Sequence, residues 1–95
     1  MPAYIVATVR ISDPERFALY AKGITGLSER FGGEPVVRGA VSEVIEGEGV
    51  VGERVVVSRY PDVASAHAYL ASPEYQAACA HRVGAADVIM RLIEA

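Results

Sequence analysis

Cysteine occurs once, at Cys79, so the chain cannot close an internal disulfide. Tryptophan is absent, and histidine occurs only at His67 and His81. Cys79 and His81 stand two residues apart, which does not put them on one helical face, and no third or fourth ligand lies near them. No metal site is expected. No apolar run approaches the length of a membrane span, so no membrane partner is expected either. Basic residues number nine against twelve acidic ones, a net charge of −3. That balance disfavours nucleic acid, whose phosphates are held by an excess of basic side chains. The opening residues lack the basic, apolar and small succession of a secretory signal, and a reducing cytoplasm suits the composition.

What the chain has in quantity is grease. Apolar residues make up 52% of its 95 positions. The length suits one domain, residues 1–95, with a modest core of its own. Apolar side chains beyond what that core can hold commonly go to a subunit interface.

The first strand, residues 3–11, shows where the surplus lies. Its odd positions, Ile5, Ala7, Val9 and Ile11, are all apolar. Its even positions, Tyr4, Val6, Thr8 and Arg10, are mixed and end in a charge. Successive strand residues point to opposite faces, so one face suits a helix-covered core and the other does not. Asp13-Pro14 then opens a helix by cap and first-turn proline. Phe17, Tyr20, Ala21, Ile24, Leu27 and Phe31 follow at helical spacing, despite Gly23 and Gly26, until Gly32-Gly33.

Val36–Glu46 reads as a second strand and Arg54–Tyr60 as a third, with the β-branched run Val55-Val56-Val57. Pro61-Asp62 and Ser72-Pro73 open two helical segments, and residues 86–93 form the last strand. The order is β-α-β-β-α-β, the ferredoxin-like plan of a four-stranded antiparallel sheet in the α+β class. Right-handed crossovers put the helices on one sheet face and leave the other bare.

Alternation assigns Tyr4, Val6, Thr8 and Arg10 to the bare face, with Val36, Arg38, Ala40 and Ser42 from the second strand. The third strand reads either way because of its valine run, with Val55, Val57 and Arg59 the preferred contribution, and the fourth adds Ile89 and Arg91. Such a face is too apolar to stay wet and too cationic to bury dry, so pairing with a second copy is expected. The arginines have two readings. They pair with acids of a second subunit or lie at the rim, or some converge on a small organic anion through a guanidinium fork. Arg38, Tyr4, Arg59 and Arg10 are the candidate ligand-binding residues, Arg38 first because Gly39 beside it lets another group approach closely.

Other chemical-looking features have plain explanations. Gly47-Glu48-Gly49-Val50-Val51-Gly52 spells the dinucleotide fingerprint, but a valine-rich strand follows it instead of a helix. Glu46, Glu48 and Glu53 would repel a pyrophosphate, so it reads as a hairpin connection and no cofactor is expected. Cys79, between alanines, reads as core. No nucleophile–base triad or carboxylate pair stands out by spacing, so no catalytic residue is assigned.

Met1-Pro2-Ala3-Tyr4, Asp13-Pro14-Glu15, Arg38-Gly39, Glu46-Gly47, Arg54, Tyr60-Pro61, Ser72-Pro73-Glu74-Tyr75-Gln76 and Arg82 together resemble domain-of-unknown-function family 1330. That bacterial family belongs to the dimeric α+β barrel superfamily. The resemblance implies a ferredoxin-like protomer whose open sheet packs on a second copy, and it supplies no reaction. Distant members of the superfamily include cofactor-independent monooxygenases, muconolactone isomerases and haem-handling proteins, an analogy of fold alone. Tyr69-Leu70 stands where the family usually has a tryptophan–tyrosine pair, and Gly39-Ala40 where it has two glycines. Arg59 stands where the family commonly has an acid; if the family pairs that acid with the strand-two arginine, the resemblance implies repulsion between Arg59 and Arg38 here and a more anionic ligand.

Three functions remain open at this point. The first is a homodimer binding a small carboxylate in a pocket on or beside the open sheet face. The second is a cofactor-independent monooxygenase or isomerase, whose proton acceptor would come from Asp87, His67 or His81. The third is a non-catalytic dimerisation module.

Overall fold

Along the first strand, burial alternates residue by residue. Ala3, Ile5, Ala7 and Val9 are buried, and Tyr4, Val6 and Thr8 between them are half-buried. In the computed structural model, which describes residues 1–95, this strand is β1 (Ala3–Ile11). There follow α1 (Pro14–Gly23), α2 (Leu27–Arg30), β2 (Glu34–Ala40), β3 (Arg54–Tyr60), α3 (Val63–Ala71), α4 (Pro73–Arg82) and β4 (Ala86–Glu94). The strands pair antiparallel in the order β2-β3-β1-β4, an α+β fold with β1 and β3 inside and β2 and β4 at the edges.

The helix starts follow the caps seen in the sequence. The Asp13 carboxylate accepts from the Arg16 N–H at 3.2 Å, with Pro14 in the first turn. Asp62 accepts from the Ser65 N–H at 2.8 Å, and this bond to its charged form holds its carboxyl below the ordinary range. Ser72 serves two helices. Its hydroxyl donates to the Tyr69 carbonyl at 2.8 Å and accepts from the Tyr75 N–H at 3.2 Å, ending α3 and capping α4.

The single helix expected up to Phe31 is in fact two. It breaks after Gly23 and restarts at Gly26, whose φ of 73° lies in the left-handed region that glycine enters without steric cost. The second strand is also shorter than expected, ending at Ala40 instead of Glu46. Val41 still pairs with Glu53 and Gly52, but the exposed Glu- and Gly-rich stretch beyond it has little to bury and forms no ladder.

The core lies between the sheet and the helices. It joins Ile5 to Tyr20, Leu27, Tyr60, Ala66, Tyr69, Tyr75 and Ala78. Tyrosines dominate it, with Tyr69 and Tyr75 ring centroids 4.9 Å apart. The other sheet face has no helix over it. Val37, Ile89 and Ile93 there are each about half exposed.

The register assigns the faces. Tyr4, Val6 and Thr8 pair with Arg59, Val57 and Val55 on one side and with Ile93, Arg91 and Ile89 on the other, so all these share the uncovered face as expected. Strand β2 is the correction. Glu34 faces Arg59 and Pro35 faces Ser58, but Val37, not Val36, faces Val57. Val36 is the extra residue of a bulge, and one extra residue exchanges the faces of everything after it. Val37 and Gly39 therefore lie on the uncovered face, and Arg38, opposite Val56, lies on the helix side.

Candidate functional site

A cavity of about 500 Å³ lies between the sheet and the helices α1 and α2. Its floor is the covered face of the sheet, including Ile5, Ala7, Val56 and Met90. Phe17, Tyr20 and Ile24 come from the first helical stretch, where helical spacing turns them toward the sheet. The walls are thus mainly apolar, as small-molecule sites usually are.

Charge enters at few points. Arg38 from β2, Arg54 from β3 and Arg82 from α4 line the cavity, and Glu29 from α2 is the one carboxylate among the lining residues. The ion pairs of the protein are Arg10–Glu53 at 2.6 Å, Arg30–Glu74 at 3.3 Å and Arg59–Glu34 at 4.0 Å. None of them neutralises a cavity arginine.

Arg82 is the most strongly built of the three. One guanidinium nitrogen, Nη1, donates to the hydroxyls of Tyr20 and Tyr75, at 3.2 Å each, and its carbon sits 4.9 Å from the Tyr20 ring centre. Burial works against its charge, but the hydrogen bond to Tyr75 and the nearby tyrosine oxygens outweigh this and raise its hold on the proton. Burial raises the phenols of Tyr60, Tyr69 and Tyr75 above their ordinary value. At neutral pH these three are therefore donors and not bases. Ser28 Oγ and the Tyr60 hydroxyl, 2.8 Å apart, complete the polar wall.

Of the four residues expected to bind a ligand, only Arg38 lines the cavity. Tyr4, Arg59 and Arg10 stand on the opposite face. There Arg59 and Arg10 meet Glu34 and Glu53, and Arg10 also lies across from Asp87. The repulsion expected between Arg38 and Arg59 does not arise, because the sheet separates them. Asp87, His67 and His81, considered as proton acceptors, are exposed and are not among the cavity residues. No group of three or more His, Cys, Asp or Glu side chains is placed to hold a metal ion. No helix is long and apolar enough to cross a membrane.

Arg54, Arg82 and Glu29 were not singled out as ligand residues from the sequence. Arg54 and Arg82 do stand among the residues that carry the family resemblance, and their spacing gives no other sign. Glu29 is one glutamate among many until the break at Gly26 turns α2 toward the cavity.

A family model described as Domain of unknown function (DUF1330) matches residues 2–95. Among solved structures, the chain is similar to a protein of unknown function from Rhodopseudomonas palustris. The identity is 25%, over 99% of this chain and 82% of that one, with a TM-score of 0.79. A dimeric ferredoxin-like protein of unknown function from Jannaschia sp. CCS1 shares 14% identity over the whole of both chains, with a TM-score of 0.76. SnoaB, a cofactor-independent oxygenase from Streptomyces nogalater, shares 14% identity over 99% of this chain and 92% of that one, with a TM-score of 0.68. These likenesses show the ferredoxin-like fold. Among curated proteins none matches the chain.

Proposed function

The chain belongs to the DUF1330 family of domains of unknown function, and from that footing we propose that it binds a small organic acid in the cavity beneath its helices, as a homodimer joined through the uncovered sheet face. One observation carries the acid: three arginines without carboxylate partners line a mostly apolar space. Arg38 and Arg54 are exposed and Arg82 is half-buried, so all three can reach a bound carboxylate, which gives them a partner through paired, charge-assisted hydrogen bonds. The apolar walls favour a hydrocarbon body on the same molecule. A carboxylate screen by thermal shift tests this. A hydrophobic acid should raise the melting temperature of the wild type and not of Arg38→Ala, and a flat response across the screen would sink the idea.

The dimer rests on different support. Val6, Val37, Val55, Val57, Ile89 and Ile93 make a mostly apolar surface across four strands, with Arg91 among them opposite Val6 and the Arg59–Glu34 pair at its margin. Burying about 800 Å² per partner on such a surface is ordinary for a stable pair. The Jannaschia relative, similar in fold, is described as dimeric.

Glu29 supports a second reading, that of a cofactor-independent oxygenase or isomerase. A carboxylate at the wall of an apolar cavity can take a proton from a bound substrate. Turnover that survives Glu29→Gln would count against it.

A further inference from the structure

The cavity carries an imbalance that a single carboxylate does not satisfy. Three arginines and one glutamate, Glu29, line it, an excess of two positive charges in a protein whose net charge is −3, with Arg38 and Arg54 exposed and Arg82 half-buried. The cations also sit apart. Arg38 and Arg54 rise from β2 and β3, diagonal to one another across the ladder, since Arg38 faces Val56 and Arg54 precedes that valine by two. Neighbours so placed are within reach of one shared anion.

Arg82 sits at the other end. It bonds to the Tyr75 hydroxyl, and that hydroxyl lies 3.9 Å from the sulfur of Met90 on β4. In the sheet order β2 and β4 are opposite edges, three strand spacings or about 14 Å apart. Ile5, Ala7 and Val56 form the floor between the two charged ends, and Phe17 and Ile24 lie over it.

We infer that the preferred ligand is an elongated dicarboxylate with an apolar middle, one carboxylate held by Arg38 and Arg54 and the other by Arg82. The inference rests on the organic-acid reading above and specifies it. Arg82 spends Nη1 on the two tyrosines, which fixes its plane and leaves its remaining N–H donors for the ligand. A second anion at that end balances the charge that Glu29 leaves over. A short or kinked diacid would reach only one end.

Calorimetric titration of the full chain with biphenyl para-carboxylate, biphenyl para,para′-dicarboxylate and the monomethyl ester of that diacid tests this. The diacid should bind at least about tenfold more tightly than either single acid, the difference one charge-assisted contact makes. Arg38→Gln and Arg82→Gln should each bring the diacid down to the level of the ester. Because Arg82 braces two core tyrosines, Arg82→Gln also weakens the fold; the diacid-to-ester comparison on the wild type needs no variant. If the ester binds as tightly as the diacid, and Arg38→Gln alone abolishes both, the dicarboxylate is overturned and the single-acid reading stands. If none of the three binds, both fall.

Discussion

Arg54 stands diagonal to Arg38 on the covered face of the sheet, and neither meets a carboxylate in any ion pair of the protein. Like charges so placed repel across the ladder, and the empty site bears that cost. Replacing either arginine should therefore strengthen the ligand-free protein while weakening acid binding. Arg54→Gln is expected to raise the unfolding free energy by about 0.5 kcal/mol without ligand. The gain should vanish when an acid saturates the wild type, because ligand binding stabilises only the folded state. Urea denaturation with and without a carboxylate checks both halves, and a variant less stable than wild type without ligand would refute the repulsion.

The bulge at Val36 shows how much of this was open to sequence reasoning. Strands β1 and β4 were assigned to the correct faces by their alternation, while β3, whose run Val55-Val56-Val57 does not alternate, was open to two readings and the preferred one matches its pairing. Strand β2 has no such guide. Glu34-Pro35-Val36-Val37-Arg38 carries no two-residue pattern, and the inserted residue is visible only in its pairing with β3. So the arginine singled out for binding is in the cavity, but from the opposite side of the sheet to the one alternation assigned. The capped helix starts at Asp13, Asp62 and Ser72 were legible because capping is local chemistry. The cavity was not, because Arg38, Arg54, Arg82 and Glu29 meet only once four separate elements have packed.

Arg82 also has a structural task that can be measured apart from binding. Its Nη1 donates to the hydroxyls of Tyr20 and Tyr75, and its charge lies over the Tyr20 ring. Arg82→Met keeps most of the stem and removes all of this. At a half-buried site the loss should be roughly 1–2 kcal/mol, less than for a fully buried charged bond. Arg82→Lys should recover part of it, since an ammonium can face the ring but cannot reproduce the guanidinium fork. Chemical denaturation of the pair decides, and an Arg82→Met protein as stable as wild type would remove the brace.

Gly33 is buried where the chain enters β2. A Cβ built there would come within 2.9 Å of the Tyr60 ring and would run into Ser28 Oγ, the partner of the Tyr60 hydroxyl. Neither neighbour can retreat cheaply, because Tyr60 is 1% exposed. Gly33→Ala should cost about 1–3 kcal/mol, the usual penalty of overpacking. In a Tyr60→Phe background the same change should cost less, because the hydroxyl bond is already gone. A double-mutant cycle reads the coupling directly, and strict additivity would show that the clash lies elsewhere.

Ile89 tests the uncovered face. It is 54% exposed in the single chain, on the same side as Val6, Val57 and Arg91. Ile89→Glu should leave the protomer folded, with a change within about 0.5 kcal/mol, since the side chain already faces solvent. In a dimer closed through this face it would bury a charge twice, once in each copy, and should give a monomer. Sedimentation velocity of wild type and variant distinguishes the two states. A wild type that sediments as a monomer at high concentration would end the dimer proposal without recourse to the variant.

The buried phenols make a prediction for alkaline solution, with a sign that follows from linkage. Burial raises Tyr60, Tyr69 and Tyr75 above the ordinary phenol value of 10.0 in the folded protein, and the unfolded chain restores that value. The folded state then holds its protons more tightly than the unfolded state does. The stability these groups contribute is complete below about pH 10 and is lost as the pH climbs through their higher folded values. The melting temperature should thus fall steeply above about pH 10. In native protein, phenolate absorbance should account for fewer than the five tyrosines until unfolding exposes the rest. Tyr69→Phe should make the alkaline fall less steep, because one of the three titrating groups is gone. If all five tyrosines ionise together near the ordinary value while the fold persists, the aromatic core is more open to water than its packing implies.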